Sequence, residues 1–187
     1  EVFQVSSDGR LAANSDNKTL LEPRYDHTSH SAGSYYFVLG GQTQSSVVTD
    51  SVESIQLTTD NLLANPVFTE PLKTARAEHS SHYDGDFIYV FGGRGEDGNA
   101  LGSVEVFRVL PGGHLTSQNQ VLNLEHPRYA HTIHKFGDYF YIIGGRDQNG
   151  TVPQIEILQL AGGGTLRRIL TNQNLQRGRF GHQGVLS

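Results

Sequence analysis

The stretch Arg76-Ala-Glu-His79-Ser-Ser-His82, followed by Gly85, the apolar run Phe87–Phe91 and the pair Gly92-Gly93, occurs three times in this chain. The other copies run from Arg24 through His27, His30 and Gly33 to Gly40-Gly41, and from Arg128 through His131, His134 and Gly137 to Gly144-Gly145. In each, one His follows the Arg by three residues and a second by six; a Gly follows by nine, and the Gly-Gly pair starts at sixteen. The copies stand 52 residues apart, and a fourth opens at Arg179 with His182. Self-similarity at a fixed period of this size marks a repeat architecture and governs every later reading.

Working outward from the motif, the runs Tyr35–Leu39, Phe87–Phe91 and Tyr139–Ile143 are aromatic and β-branched, which is the strongest strand signal in the chain. Further on, Glu53-Ser-Ile-Gln-Leu57, Glu105-Val-Phe-Arg-Val109 and Glu156-Ile-Leu-Gln-Leu160 alternate apolar and polar residues, as half-buried strands do. Glu1-Val-Phe-Gln-Val5 matches them, so the chain opens in the middle of a repeat. Three residues after each pentapeptide comes a turn pair: Asp8-Gly9, Asp60-Asn61, Gly112-Gly113 or Gly163-Gly164. These residues accept the positive φ of tight hairpin turns. A Leu follows at a constant offset (Leu11, Leu63, Leu115, Leu166) and starts a fourth, weaker strand. No segment sustains a helical period.

Four antiparallel strands per repeat, with glycine-marked hairpins, describe the blades of a β-propeller. A blade has two apolar faces and is stable only against its neighbours. The segments are residues 1–23 (the last two strands of a preceding blade), 24–75, 76–127 and 128–178 (full blades), and 179–187 (the first strand of a following blade). That is about 3.6 repeats of 52 residues, which predicts a part of a larger ring. Ring completion by the rest of a longer chain, or by self-association, is the corresponding expectation, because open strand edges invite pairing.

Composition sets the outer limits. The 187 residues are 36% hydrophobic and 18% charged, which is globular. A net charge of -5 leaves no basic footprint for nucleic acid. The longest apolar runs are strand-sized, so no membrane insertion is expected. The absence of Cys excludes disulfides and cysteine-ligated metal centres. The chain has no Met and begins at Glu1, the pattern of a processed chain or a segment of a longer one. Two sequons, at Asn17 and Asn149, are open to glycosylation in a eukaryotic secretory pathway.

An Arg-x-x-His strand, an aromatic strand ending in Gly-Gly, and a strand bearing Glu together resemble kelch repeats. The Trp common on the fourth kelch strand is absent here. The long period and the turn-plus-Leu pattern resemble kelch arrays of large bacterial secreted or surface proteins. That resemblance implies an extracellular, cell-surface or periplasmic location.

The recurring residues have structural readings first. His27, His79, His131 and His182 sit where kelch repeats often carry a His, which implies blade packing. Arg24, Arg76, Arg128 and Arg179 are expected to tie adjacent blades through carbonyls or carboxylates, since the guanidinium is a bidentate fork. Glu53, Glu105 and Glu156 are candidate partners.

The second histidines, His30, His82 and His134, are the donor type for zinc or copper if they reach the channel. Divergence of neighbouring inner strands, and Val185 at the fourth equivalent position, weigh against it. Asp147, Asn149 and Glu156 resemble part of a calcium loop, but its first ligand position is Gly145. No metal or other cofactor is expected.

Binding is the default reading, with the ligand held by loops on a rigid scaffold. By resemblance to the peptide-binding kelch domains of ubiquitin-ligase adaptors, the residue two after each Arg faces the ligand: Asp26, Glu78, Ala130 and Gly181. Two of these are acidic, which favours a basic, cationic or glycan ligand over an acidic peptide. Gln42, Arg94, Glu96, Asp97, Arg146 and Asp147 add to that face, and Tyr25 and Tyr129 could stack on sugars. The expected function is therefore a non-catalytic binding or scaffold module for a protein or glycan. Two alternatives stand beside it. One is a carbohydrate-active propeller enzyme of the epimerase kind; the other is a structural unit of an extracellular assembly joined through strand edges. Galactose-oxidase-like chemistry is excluded within this chain, because its Tyr–Cys cofactor needs a Cys.

Overall fold

The computed structural model describes residues 3–5, 11–13, 18–59, 62–170 and 172–183, the first two segments as backbone only. The described residues form antiparallel β-structure without a helix. The turn pairs at residues 8–9 and 60–61, the sequon at Asn17 and the position of Val185 lie outside them.

Three full blades follow the repeat. The first pairs Thr28–Ala32, Tyr35–Leu39, Val52–Gln56 and Val67–Phe68 in that order from the axis outward. The second pairs Ser80–Tyr83, Phe87–Phe91, Ser103–Leu110 and His114–Ser117, and Leu122–Asn123 adds to the far end of its long third strand. The third pairs Thr132–Phe136, Tyr139–Ile143, Glu156–Leu160 and Leu166–Ile169. Ahead of them, Phe3–Val5 pairs with Leu11–Ala13 as the last two strands of a preceding blade.

The recurring Leu keeps one register throughout, opposite Val5, Leu57, Val109 and Leu160 in turn. One expectation fails here. In the first full blade Leu63 makes only an isolated bridge, and the outermost strand is displaced to Val67–Phe68. An edge strand has one partner and little to bury, so its local sequence does not fix its position.

The second strand of the middle blade, Phe87–Phe91, is buried on both faces, which is why it reads as a continuous apolar run. Its alternate residues go to opposite neighbours. Phe37 and Leu39 of the first blade pack against Ile88, Val90 and Phe107 of the second. Tyr89 and Phe91 of the second pack against Phe140, Ile142 and Leu158 of the third. The Phe140 ring lies 5.1 Å from Tyr89 and 5.3 Å from Phe91. Each such buried aromatic contributes about 2–3 kcal/mol. The core is therefore a series of seams between blades.

The Gly-Gly pair belongs to these seams. The N–H of the second glycine donates to the carbonyl of the next blade's Arg: Gly41 to Arg76, Gly93 to Arg128 and Gly145 to Arg179. The first glycine has positive φ, and a Cβ at Gly92 would stand 2.5 Å from the Arg128 carbonyl oxygen and 3.1 Å from the His131 ring. No side chain fits between the blades at that point.

Candidate functional site

The Arg-x-x-His-x-x-His stretch is not one continuous strand. The residue two after each Arg takes a left-handed conformation: Asp26 φ 53°, Glu78 φ 53°, Ala130 φ 52° and Gly181 φ 60°. Asp and Gly tolerate this backbone well, whereas Glu and Ala hold it under tertiary constraint. The kink divides the motif into two parts. Below it, the innermost strand begins. Above it, Arg24–Tyr25 pairs with Gln42–Thr43, and Ala77 and Tyr129 bridge to Arg94 and Arg146. The loop after each Gly-Gly thus returns as a short hairpin over the channel mouth.

The kinked residues are joined around the axis. Glu78 N–H donates to the Asp26 carbonyl at 3.0 Å, Ala130 N–H to Glu78 at 2.8 Å, and Gly181 N–H to Ala130 at 2.9 Å. These main-chain bonds link the mouth from blade to blade whichever side chain each of the four positions carries.

The recurring Arg finds the carbonyl and Glu partners expected of it, most of them on its own blade. Its Nε also donates to a carbonyl of the incoming connector: Glu22, Thr74 and His126 in turn. Arg24 bonds Gly40 O and Ser51 O at 2.9 Å and Glu53 Oε1 at 2.7 Å. Arg76 bonds Gly92 O, Ser103 Oγ and Glu105 in the same way, and Arg128 bonds Gly144 O, Gln154 O and Glu156. The backbone carbonyl of the Arg crosses to the preceding blade. Most side-chain partners are local: the backbone carbonyl sixteen residues on and the Glu lie in the same sheet. Burial pulls the Arg76 and Arg128 pKa down, and the paired Glu105 and Glu156 oppose that shift. Each Glu also caps the incoming connector. Glu53 accepts from Leu21 and Glu22 N–H, Glu105 from Lys73 and Thr74, and Glu156 from Glu125 and His126. The described residues give Arg179 its carbonyl bond to Gly145.

The first histidines pack at the seams. His79 and His131 are buried, and His27 is exposed. His79 Nε2 meets Thr28 Oγ1 of the preceding blade at 2.9 Å, and His182 Nε2 meets Thr132 Oγ1 at 3.2 Å. Between them, Ser80 donates to the His131 carbonyl at 2.6 Å, leaving both ring nitrogens of His131 without a partner. Burial holds His79 well below the usual range and His131 at about 3, and neighbouring positive charges, Arg76 and Arg128, add to the effect.

The second histidines do not converge. His30 Nε2 bonds Ser81 Oγ at 2.6 Å, and burial, then the His82 charge, lowers its pKa to about 4. His82 lies edge-on against Phe140 at 5.3 Å, and burial, then Lys135, lowers its pKa. His134 sits opposite Tyr141 on its own blade and, with His79, His131 and Thr132, lines a groove of about 350 Å³. The three imidazoles lie on separate inner strands, and among the described residues no three His, Asp or Glu side chains are placed to hold one metal ion. The calcium-like set is likewise not assembled. Asp147 Oδ1 accepts the Asn149 N–H in the short hairpin Arg146–Asp147 with Gly150–Thr151, while Glu156 faces Arg128.

The mouth residues do meet. Glu78 Oε1 accepts from Arg94 Nε at 2.8 Å, and Arg94 Nη2 donates to Gln42 Oε1 of the preceding blade at 2.8 Å. Asp26 stands close enough to feel both charges. Burial, then the Glu78 charge, raises its pKa, and Arg94 partly offsets them. Arg146 lies over two rings, 5.3 Å from the centre of Tyr129 and 4.9 Å from that of Phe180. Tyr129 is buried in this contact, whereas Tyr25 is 47% exposed. Glu96 and Asp97 lie exposed on the adjacent hairpin, where Asp97 bonds Asn99. The sequence reading missed Phe180, which is legible as the fourth member of the series Tyr25, Ala77, Tyr129, Phe180.

Four-stranded blades side by side, with a buried Arg–Glu pair within each and Gly-Gly contacts at each seam, define a propeller of the kelch class. A family model described as the KLHDC2/KLHL20/DRC7 Kelch-repeats domain matches residues 26–187, and the chain belongs to this family. A comparison with curated proteins gives no match. Kelch repeats generally mediate protein binding or scaffolding.

Proposed function

We propose that this chain is a non-catalytic binding module that holds a protein ligand at the channel mouth. The observation that carries the reading is the joined polar surface of Glu78, Arg94 and Gln42, with Asp26 beside it, mounted on main-chain bonds that run from blade to blade. A rigid frame with variable side chains at its rim is the usual arrangement of a recognition site. A peptide-display selection on the purified chain tests it. The combined variant Glu78→Ala, Arg94→Ala is expected to weaken the selected peptides about tenfold or more while the unfolding midpoint stays put. Unchanged binding by that variant sinks the reading.

Two observations support second readings. The exposed ring of Tyr25 suits stacking on a sugar, which favours a glycan ligand. The outermost Val67–Phe68 strand presents two exposed apolar residues at a free edge, which favours joining through strand edges. Ring completion belongs to the same proposal. The Arg179 carbonyl and His182 ring already occupy, against the third blade, the places that Arg76 and His79 occupy against the first.

An extracellular, cell-surface or periplasmic site of action is also part of the proposal. It rests on the long period shared with kelch arrays of bacterial surface proteins. Asn149 lies exposed in its hairpin, so the intact mass of the native protein tests the eukaryotic secretory variant directly.

A further inference from the structure

Two positions in each repeat face the mouth: the kinked residue two after the Arg, and the residue after Gly-Gly. In the first blade they are Asp26 and Gln42, in the second Glu78 and Arg94, in the third Ala130 and Arg146. The three blades therefore carry an acid alone, an acid with a base, and a base alone.

The structure gives each combination a different outcome. Glu78 and Arg94 neutralise each other at 2.8 Å. Asp26 has a neutral amide, Gln42, where the second blade has Arg94, and it makes no ion pair among the described residues. Gln42 itself is engaged, donating to Ser46 O and accepting from Arg94. Arg146 faces Ala130 where Arg94 faces Glu78. Its side chain makes no hydrogen bond or ion pair among the described residues. The adjacent Asp147 turns its Oδ1 to the Asn149 N–H.

Arg146 is nevertheless held in place. The rings that flank this position in the series are Tyr129 on its own blade and Phe180 on the next, both within 5.3 Å of its guanidinium carbon. The equivalent flanks of Arg94 are Ala77 and Tyr129, and those of Gln42 are Tyr25 and Ala77. Only the third blade brings two aromatic rings to its cation. A guanidinium resting on aromatic faces keeps its in-plane N–H fork for a carboxylate, with little ordering left to do on binding.

We infer that the mouth is a charge gradient across three blades and takes a dipolar extended peptide, with a basic side chain at Asp26 and an acidic side chain on Arg146. The inference rests on the reading that the mouth binds protein, and it narrows the partner. A uniformly basic ligand would leave Arg146 opposed by like charge, and a uniformly acidic one would do the same to Asp26 and to the chain's net charge of -5. Because the two poles stand two blades apart, the base and the acid sit several residues apart in an extended segment, in one fixed order.

The test is a random-peptide display selection on the full chain, followed by affinity measurements on the selected peptides. Binders are expected to carry one base and one acid in constant order. Ala130→Glu places beside Arg146 the partner that Glu78 is to Arg94, and Glu78 shows that the kinked backbone accepts this residue. It should lower affinity about tenfold to a hundredfold, as should Arg146→Gln. Replacing the peptide's acid by its amide should cost the same on the native chain and nothing further on Arg146→Gln. Peptides that need Glu78 and Arg94 yet ignore Ala130→Glu and Arg146→Gln overturn the gradient while leaving the mouth as the binding site. Peptides indifferent to all four positions, or a selection that yields only glycan binding in a parallel array, overturn both.

Discussion

In the frame of the blades, equivalent positions carry equivalent side chains. Arg24, Arg76 and Arg128 each reach a glycine carbonyl sixteen residues on and a Glu of the same blade, and each of those Glu residues caps a connector. At the mouth, equivalent positions carry Asp26, Glu78 and Ala130, then Gln42, Arg94 and Arg146. The difference teaches where to look in a repeat protein. What recurs holds the blades together, because every seam poses the same packing problem. What varies on an unvarying backbone is available for recognition.

The largest expected effect would break this contrast if it failed to appear. Arg76→Met leaves Glu105 buried without its cation, and should destabilise the chain by about 3–5 kcal/mol in a denaturant titration. The matching change at the mouth, Arg94→Met, should cost less than about 1 kcal/mol, because that pair is partly exposed. A smaller loss at Arg76 than at Arg94 would reverse the assignment of frame and rim.

Gly92→Ala comes next, at about 2–3 kcal/mol, since it adds positive-φ strain to a 2.5 Å approach to the Arg128 carbonyl. Gly33→Ala also has positive φ but meets nothing within 4 Å, so about 1 kcal/mol is expected from thermal or denaturant melts. Equal losses at the two sites would remove close packing as the reason for the Gly-Gly pair.

The pH dependence sharpens the same contrast. Imidazoles titrate near 6.5 in the unfolded chain, and buried His131 does so near 3 in the folded one. Below pH 6.5 the unfolded state thus binds more protons, so the His131 contribution is complete above that pH and is lost as pH falls toward 3. The slope is at most about 1.4 kcal/mol per pH unit for each buried imidazole. His131→Gln should flatten the stability profile in that window, and a profile unchanged by the substitution counts against seam burial of the ring. The smallest effect belongs to the rim: Asp26→Asn should alter stability by less than about 0.5 kcal/mol. A large shift there would mean that the mouth is itself part of the frame.

Much of the frame was legible in the sequence. Fixed spacing gave the blades, two-sided burial made Phe87–Phe91 read as an unbroken apolar run, and the constant Leu marked one register. The outermost strand of the first blade was not legible, because Val67–Phe68 has one partner and no apolar pattern to anchor it. The partners of the Arg side chain were legible, but not how they divide between its own blade and the incoming connector. Spacing says that Arg and Glu recur together; it does not say whether the pair lies within a blade or across a seam. At the mouth, the acidic and basic positions could be listed from the repeat, but the contact of Arg94 with Gln42 joins residues 52 apart, which only the stacking of blades brings together. The left-handed kink was hidden for another reason. Asp26 and Gly181 suggest it, whereas Glu78 and Ala130 argue against it locally and adopt it because their neighbours' amides hold them there.

That kink separates two kinds of inheritance. A repeat copied end to end transmits its frame through main-chain atoms and a few buried side chains. The position two after each Arg is linked from blade to blade through main-chain groups. A change of letter there costs at most about 1–2 kcal/mol of backbone preference and disturbs no seam. Each duplication of the blade would thus have added one more rewritable character to the rim, and partner choice could drift between descendants of one repeat while the fold that carries it stayed the same.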